Sequence, residues 1–314
     1  MTKSVQHALV TGGAGFIGSH LVDALIGQGA RVTVIDNLTT GKKENLQDAG
    51  SRVDFHEGDI RDRDLLQRLM TGVDVVFHQA AVVSVPLSVE QPLFSAAVNE
   101  TGTLEVLEAA RQAGCRRVVL ASSSAVYGDD PELPKRENMP FCPLSPYAVQ
   151  KMTGEYYAGL YNQLYGLETA CLRYFNVFGP RQDPSSPYSG VISIFLDRAT
   201  AGRAPVIYGD GEQTRDFVYV QDVVSANLRA ATEKGAAGKA FNIGTGKTIT
   251  INRLWQQVAE LAGIDLVPDY RDARQGDILH SVAAIDAARQ DLGFEPEVRF
   301  QGGLAQTYDW YQRQ

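Results

Sequence analysis

Tyr147 and Lys151 stand four residues apart in SPYAVQK, about one helical turn, and the serine run Ser122-Ser123-Ser124 lies some two dozen positions upstream. A tyrosine is a poor base at neutral pH because its free pKa is about 10. An ammonium on the same helical face stabilises the phenolate and lowers that pKa toward working pH. A serine hydroxyl delivered by a separate strand end then shares the proton of a substrate alcohol. By itself the Tyr-x-x-x-Lys spacing also describes an ordinary helix with both residues on one face. The N-terminus of the same chain decides between the two.

There an apolar run, His7 to Thr11 (HALVT), leads at once into GGAGFIGSHLVDALIGQG. Gly12, Gly15 and Gly18 give G-x-x-G-x-x-G between a predicted strand and a predicted helix. Gly12 permits the tight turn, Gly15 lets the backbone approach a pyrophosphate, and Gly18 lets the helix pack closely on the sheet. The helix N-terminus offers N–H groups and a positive dipole end to the phosphates. A second strand, RVTVI at 31–35, ends at Asp36. A carboxylate there accepts hydrogen bonds from the adenosine ribose hydroxyls and repels a 2′-phosphate, which predicts NAD rather than NADP.

The elements that must hold these groups alternate. Strands are expected at 7–11, 31–35, 52–57, 73–78 and 116–121, and helices at 16–28, 62–70, 93–113 and 146–165. Arg173 to Val177 reads as another strand end and AFNIG at 240–244 as the last. Strands separated by helical patterns imply an α/β fold: a Rossmann-type doubly wound parallel sheet with a smaller, discontinuous α/β substrate domain. Residues 1–176 and 215–246 are expected to form the dinucleotide-binding part, and 177–214 and 247–314 the substrate part. Loops rich in Pro, Gly and Ser (GPRQDPSSPYSG at 179–190), and later RQGD at 274–277, fall in or beside that second part. Two helices carry apolar stripes, Leu104, Leu107 and Ala110 in one and Tyr156, Leu160 and Leu164 in the other; each is either core or half of a dimer seam.

Composition narrows the function. With 314 residues the chain can bury a large core. A net charge of −8 argues against a nucleic-acid partner. Cys115, Cys142 and Cys171 are scattered, without C-x-x-C, and read as reduced, buried small hydrophobes in a cytoplasmic protein. MTKSVQ leads directly into the first strand with no signal sequence, and no long apolar run predicts a membrane span. His56, His78 and His280 lack metal-ligand spacing, so no metal is expected.

Taken in order, TGGAGFIGSH, Asp36, HQAA at 78–81, SSSAVYG at 122–128, Tyr147-x-x-x-Lys151, RYFNVFGPR at 173–181, RDFVYVQDV at 215–223 and R-x-G-D at 274–277 resemble the extended short-chain dehydrogenase/reductases acting on nucleotide sugars, most of all the UDP-hexose 4-epimerases. The resemblance implies Tyr147 as base, Lys151 on the nicotinamide ribose and Ser123 as the partner serine. It implies a cofactor set of Gly12, Gly15, Phe16, Ile17, Gly18, Asp36, Asn37, Asp59, Ile60, Ala80, Ala81 and Asn99, together with Tyr147 and Lys151. For the UDP-sugar it implies Ser84, Ser123, Ser124, Asn176, Val191, Arg215, Arg274, Asp277 and Ser281. It also implies a tightly held NAD regenerated at each turnover, a transient 4-keto sugar, and a homodimer.

Within that family, 4,6-dehydratases carry Asp-Glu where this chain has Ser124 and Ala125, and UDP-glucuronate decarboxylases keep a glutamate at the Ala125 position. The RPDMA-like stretch of uronate epimerases is replaced by DPSSPYSGVIS. Epimerisation of UDP-glucose and UDP-galactose is therefore expected. Ser281, small where a bulky residue would crowd C2, extends the expectation to UDP-GlcNAc and UDP-GalNAc. A nucleotide-sugar 4-ketoreductase, and a nucleotide-binding protein without catalysis, are the competing readings.

Overall fold

The computed structural model describes residues 4–184, 190–273 and 278–313. Its first half alternates strand and helix: β1 (His7–Thr11), α1 (Phe16–Gly27), β2 (Arg31–Asp36), β3 (Val53–Glu57), α2 (Arg63–Leu69) and β4 (Val75–His78). Next come α3 (Val85–Glu90), α4 (Pro92–Ala96), a π-helical turn (Ala97–Gly102), α5 (Thr103–Gln112) and β5 (Arg117–Ser123). The helix expected at 93–113 is thus α4, the π turn and α5 run together. After α6 (Pro146–Tyr165) follow β6 (Glu168–Tyr174), β7 (Asn176–Phe178), α7 (Val191–Thr200), β8 (Val206–Tyr208), β9 (Thr214–Arg215) and β10 (Phe217–Tyr219). The remainder is α8 (Val220–Thr232), β11 (Lys239–Ile243), β12 (Ile249–Thr250), α9 (Ile251–Ala262), β13 (Asp269–Arg271), α10 (Asp286–Leu292) and α11 (Phe300–Tyr311). AFNIG is the last strand of the main sheet but not of the chain: β12 and β13 are two- and three-residue strands, too short for a visible alternation.

Seven parallel strands form that sheet in the order β11-β6-β5-β4-β1-β2-β3. The strands read as nearly unbroken apolar runs because both faces are covered. Ala8 and Val10 of β1 enter one core while Leu9 enters the other, and Val75 and Phe77 of β4 part from Val76 in the same way. On the first side Leu21, Val22 and Leu25 of α1 meet Val223, Val224 and Ala230 of α8, with Ala288 and Leu292 of α10 beside them. On the second, Leu66 of α2 meets Leu107 and Ala110 of α5 and Tyr161 of α6. A third cluster joins Phe178, Phe195, Tyr219, Trp255 and Tyr308 from β7, α7, β10, α9 and α11.

Helix α6 is specified locally. Ser145 caps its start, accepting from Ala148 N at 3.2 Å, Pro146 fills the first turn, and Gly166 ends it with φ 69°. The two apolar stripes separate: Leu107 and Ala110 are core, whereas Tyr156, Leu160 and Leu164 are exposed. No described helix is long and apolar enough to cross a membrane. Cys115 and Cys171 are buried as expected, but Cys142 is exposed, because the FCPL segment before α6 crosses the surface as irregular chain.

Candidate functional site

The carboxyl ends of β1, β2, β4 and β5 point the same way, as parallel pairing requires, so every residue just past them opens on one edge. Gly12 leaves β1 with φ 68°, a region closed to most side chains. A Cβ there would stand 2.7 Å from the Ala80 nitrogen, so the HQAA segment after β4 passes directly over the turn. At Gly18 a Cβ would overlap the Gly12 carbonyl. At Gly15, by contrast, it would meet the Gly12 carbonyl at 3.1 Å and nothing else within 4 Å. That open side faces the first turn of α1, where Phe16 and Ile17 lie and where backbone N–H groups lack helical acceptors. Room, amides and dipole fit a diphosphate.

Asp36 is buried at the end of β2, accepting from Leu38 N at 2.8 Å and Ala14 N at 3.0 Å through different oxygens. Burial raises its carboxyl above the usual range while those two amides oppose the rise. Each oxygen keeps a further lone pair for a ribose hydroxyl. Asn37 donates to Asp59 at 3.2 Å, and the Arg61 guanidinium beside Asp59 helps hold that carboxyl down at about 2. Ile60 is buried under Gly102. Asn99 clamps the backbone of Val82, N–H to Oδ1 at 2.8 Å and Nδ2 to O at 2.9 Å, so it shapes the segment that carries Ala80 and Ala81. The open turn and the free lone pairs of Asp36 fit a dinucleotide, while Asn99 and Ile60 shape the edge from behind.

Ser123 ends β5, its hydroxyl accepting from Ala125 N at 3.1 Å, and it lies near enough to the Tyr147 phenol to favour the phenolate. The Lys151 ammonium lies 5.8 Å from the centre of the Tyr147 ring and donates to the Ala121 carbonyl at 2.8 Å. The expected lowering of the phenol by Lys151 does not appear. Burial raises Tyr147 above its ordinary value, with the Ser123 hydroxyl working against it, and burial also pulls Lys151 down to about 8. The Lys151 ammonium, shared with the Ala121 carbonyl, offsets at most part of that burial, and further positive charge beside Tyr147 would favour the phenolate more.

On the substrate side, Asn176 and Val191 line one cleft of about 80 Å³ with Phe178, Gln182, Gly190 and Phe217. Asn176 is held by Asp216, whose carbonyl accepts from its backbone N at 3.0 Å and its amide at 3.2 Å. Arg215 donates to the Thr214 and Leu279 carbonyls, and Ser281 N donates to Thr214 O at 3.2 Å, so these two lie on neighbouring strands of chain. Ser84 caps α3, accepting from Leu87 N, and Ser124 opens the turn after β5. Arg274 and Asp277 lie outside the described residues.

Sequence reasoning passed over three groups. The Asp216 carboxylate accepts from Thr245 N, Gly246 N and Ala283 N, tying three loops together. Ser88 accepts the Tyr147 amide. Buried His78 bridges Thr11 and Thr103, and because Thr103 gives its one proton to the Asn99 carbonyl, His78 carries a proton on Nε2; burial keeps the ring neutral, with Nδ1 accepting from Thr11. Burial, then the Lys151 charge, pulls it to about 3.

A family model described as the NAD dependent epimerase/dehydratase family matches residues 8–244. The chain is 43% identical over 310 residues to a UDP-glucose 4-epimerase of Mycolicibacterium smegmatis, covering 98% of each. Among solved structures, it resembles a UDP-N-acetylglucosamine 4-epimerase from Methanobrevibacter ruminantium in complex with UDP-N-acetylmuramic acid, at TM-score 0.95 and 42% identity over 99% of both chains. A UDP-glucose 4-epimerase of Thermus thermophilus in complex with NAD matches at TM-score 0.88 and 40% identity, over 98% of this chain and 99% of that one.

Proposed function

Because the chain belongs to the NAD dependent epimerase/dehydratase family, we propose that it inverts C4 of UDP-hexoses, interconverting UDP-glucose with UDP-galactose and UDP-GlcNAc with UDP-GalNAc. The observation that carries this reading is the placing of Ser123 and Lys151 beside the Tyr147 phenol, with Ser124 and Ala125 next to Ser123 in the chain. Such a set moves one alcohol proton, and positions 124 and 125 carry no carboxylate with which to expel water or a carboxyl group.

Tyr147 as phenolate removes the C4 hydroxyl proton while Ser123 bridges the two oxygens. NAD, held by the β1–α1 turn, Asp36 and Lys151, would supply the acceptor and donor for the C4 hydrogen. Lys151 would hold the nicotinamide ribose, and the cofactor's positive charge would add to that of Lys151 in favouring the phenolate. Asn176, Val191, Arg215, Arg274 and Asp277 anchor the UDP while the ketone turns over, and Ser84 and Ser124 meet sugar hydroxyls. Ser281 leaves room for an N-acetyl group at C2. In this reading residues 1–176 and 215–246 carry the dinucleotide, and 177–214 with 247–314 the nucleotide sugar.

A second copy of the chain is the proposed partner of α6. Tyr156, Leu160 and Leu164 recur every four residues on its outer face and are 59%, 45% and 66% exposed, an apolar stripe suited to an isologous helix pair.

The deciding experiment incubates the purified protein, with no added NAD, with UDP-galactose and separately with UDP-GalNAc, and follows the sugar protons by NMR. Conversion of both to their C4 epimers is expected. No conversion of either, even after NAD is supplied, overturns the reading.

A further inference from the structure

Glu155 lies on α6 one turn beyond Lys151 and two beyond Tyr147, and it is buried. Its carboxylate accepts the hydroxyl of Ser122, the neighbour of Ser123 at the end of β5. Arg173 of β6 closes on the same group, with Nη2 2.7 Å from Oε2 and Nε 2.9 Å from Oε1. Its Nη1 reaches the Tyr127 hydroxyl at 2.8 Å, which in turn donates to Asn242 at 2.6 Å. A buried ion pair adds little stability over apolar residues of equal volume. Its place behind the reacting groups calls for another account.

We propose that Glu155 is a positioning residue: through Ser122 it ties the strand end carrying Ser123 to the helix carrying Tyr147 and Lys151, with its negative charge one helical turn from the Lys151 ammonium. The inference rests on the reading of Ser123, Tyr147 and Lys151 as the catalytic set.

Three successive residues of β5 meet three successive turns of α6. Ala121 takes the Lys151 ammonium and Ser122 holds the Glu155 carboxylate, while Ser123 stands near the Tyr147 phenol. Side chains alternate along a strand, so a tether at Ser122 sets the rotation at which Ser123 leaves it. The groups facing Lys151 among the described residues are Tyr147 and Glu155 from α6, Cys171 from β6 and His78 from β4, with Arg173 behind Glu155. His78 is neutral, and burial holds the Cys171 thiol well above its ordinary value. Glu155 is therefore the anion of this group, and it opposes the burial that pulls Lys151 down.

The test begins with the parent protein, whose failure to epimerise would indict the function and not this inference. Given an active parent, Ser122→Ala, which keeps the ion pair, is expected to lower kcat about tenfold or more while leaving KM and the alkaline limb of the pH profile unchanged. Glu155→Gln is expected to move that limb down by about one pH unit, because Lys151 then loses its proton earlier. The double variant Glu155→Gln/Arg173→Met removes the unpaired guanidinium and should show the same shift. Without substrate, ultraviolet difference titration of each protein against its Tyr147→Phe counterpart should place the phenolate at higher pH when Glu155 is replaced. Full kcat in Ser122→Ala, or an unmoved limb and phenol in the folded double variant, overturns the proposal.

Discussion

The Tyr147 phenol is the residue whose environment most needs explaining, since burial raises it and the lysine beside it is itself pulled down to about 8. On the proposed reading, the positive charge of NAD would add to that of Lys151 in favouring the phenolate. Tyr147→Phe should lower kcat by about 10²–10⁴-fold with an unchanged melting temperature, because the ring stays and only the proton acceptor goes. Unimpaired turnover in that variant would remove Tyr147 from the reaction. The Y-x-x-x-K spacing showed that both side chains share a helical face. It did not show that the ammonium turns to the Ala121 carbonyl, since Ala121 stands 30 positions away in the chain and on another element.

At the level of elements, the β1–α1 turn is where sequence and geometry agree most closely. Its glycines answer to distances a Cβ would violate: Ala80 nitrogen over Gly12, and the Gly12 carbonyl under Gly18. Gly18→Ala should push α1 off the turn, cost about 1–3 kcal/mol of stability, and reduce the NAD retained through purification. Thermal unfolding and the absorbance of released cofactor check both. The stripe on α6 makes a separate prediction. The parent is expected to sediment as a dimer, and Leu160→Glu combined with Leu164→Glu should give a monomer in sedimentation velocity, with its fold intact because both side chains face outward.

Across the whole molecule, the sheet is tied to its second layer through His78, which joins β1 through Thr11 and α5 through Thr103. Its folded pKa of about 3 lies below the unfolded value of 6.5, so the fold holds the neutral ring. The stability this contributes is complete above pH 6.5 and is lost as pH falls toward 3, by about 1.4 kcal/mol per pH unit. Denaturant midpoints measured from about pH 7 to pH 5 should fall accordingly, and His78→Asn, though weaker at neutral pH, should show a shallower slope over that interval. Equal slopes would mean that His78 is protonated in the native protein.

Local regularities were enough for much of this protein. Alternating apolar runs and helical stripes placed β1, β2 and α6, the glycine spacing marked the phosphate turn, and Asp36 followed from its position at the end of β2. These features depend on near neighbours in the chain, and a period of two or 3.6 residues records them directly. The remaining features depend on residues far apart in sequence. Glu155 and Ser122 are 33 positions apart, and Asp216 and Ala283 are 67. No periodicity links such pairs; the order of strands in the sheet brings them together. Exposure of the α6 stripe was likewise decided by which face β5 and β6 cover. The residues proposed for the chemistry were visible as types and spacings, but their electrostatics, and the tethers that hold them in register, came only with the packed structure.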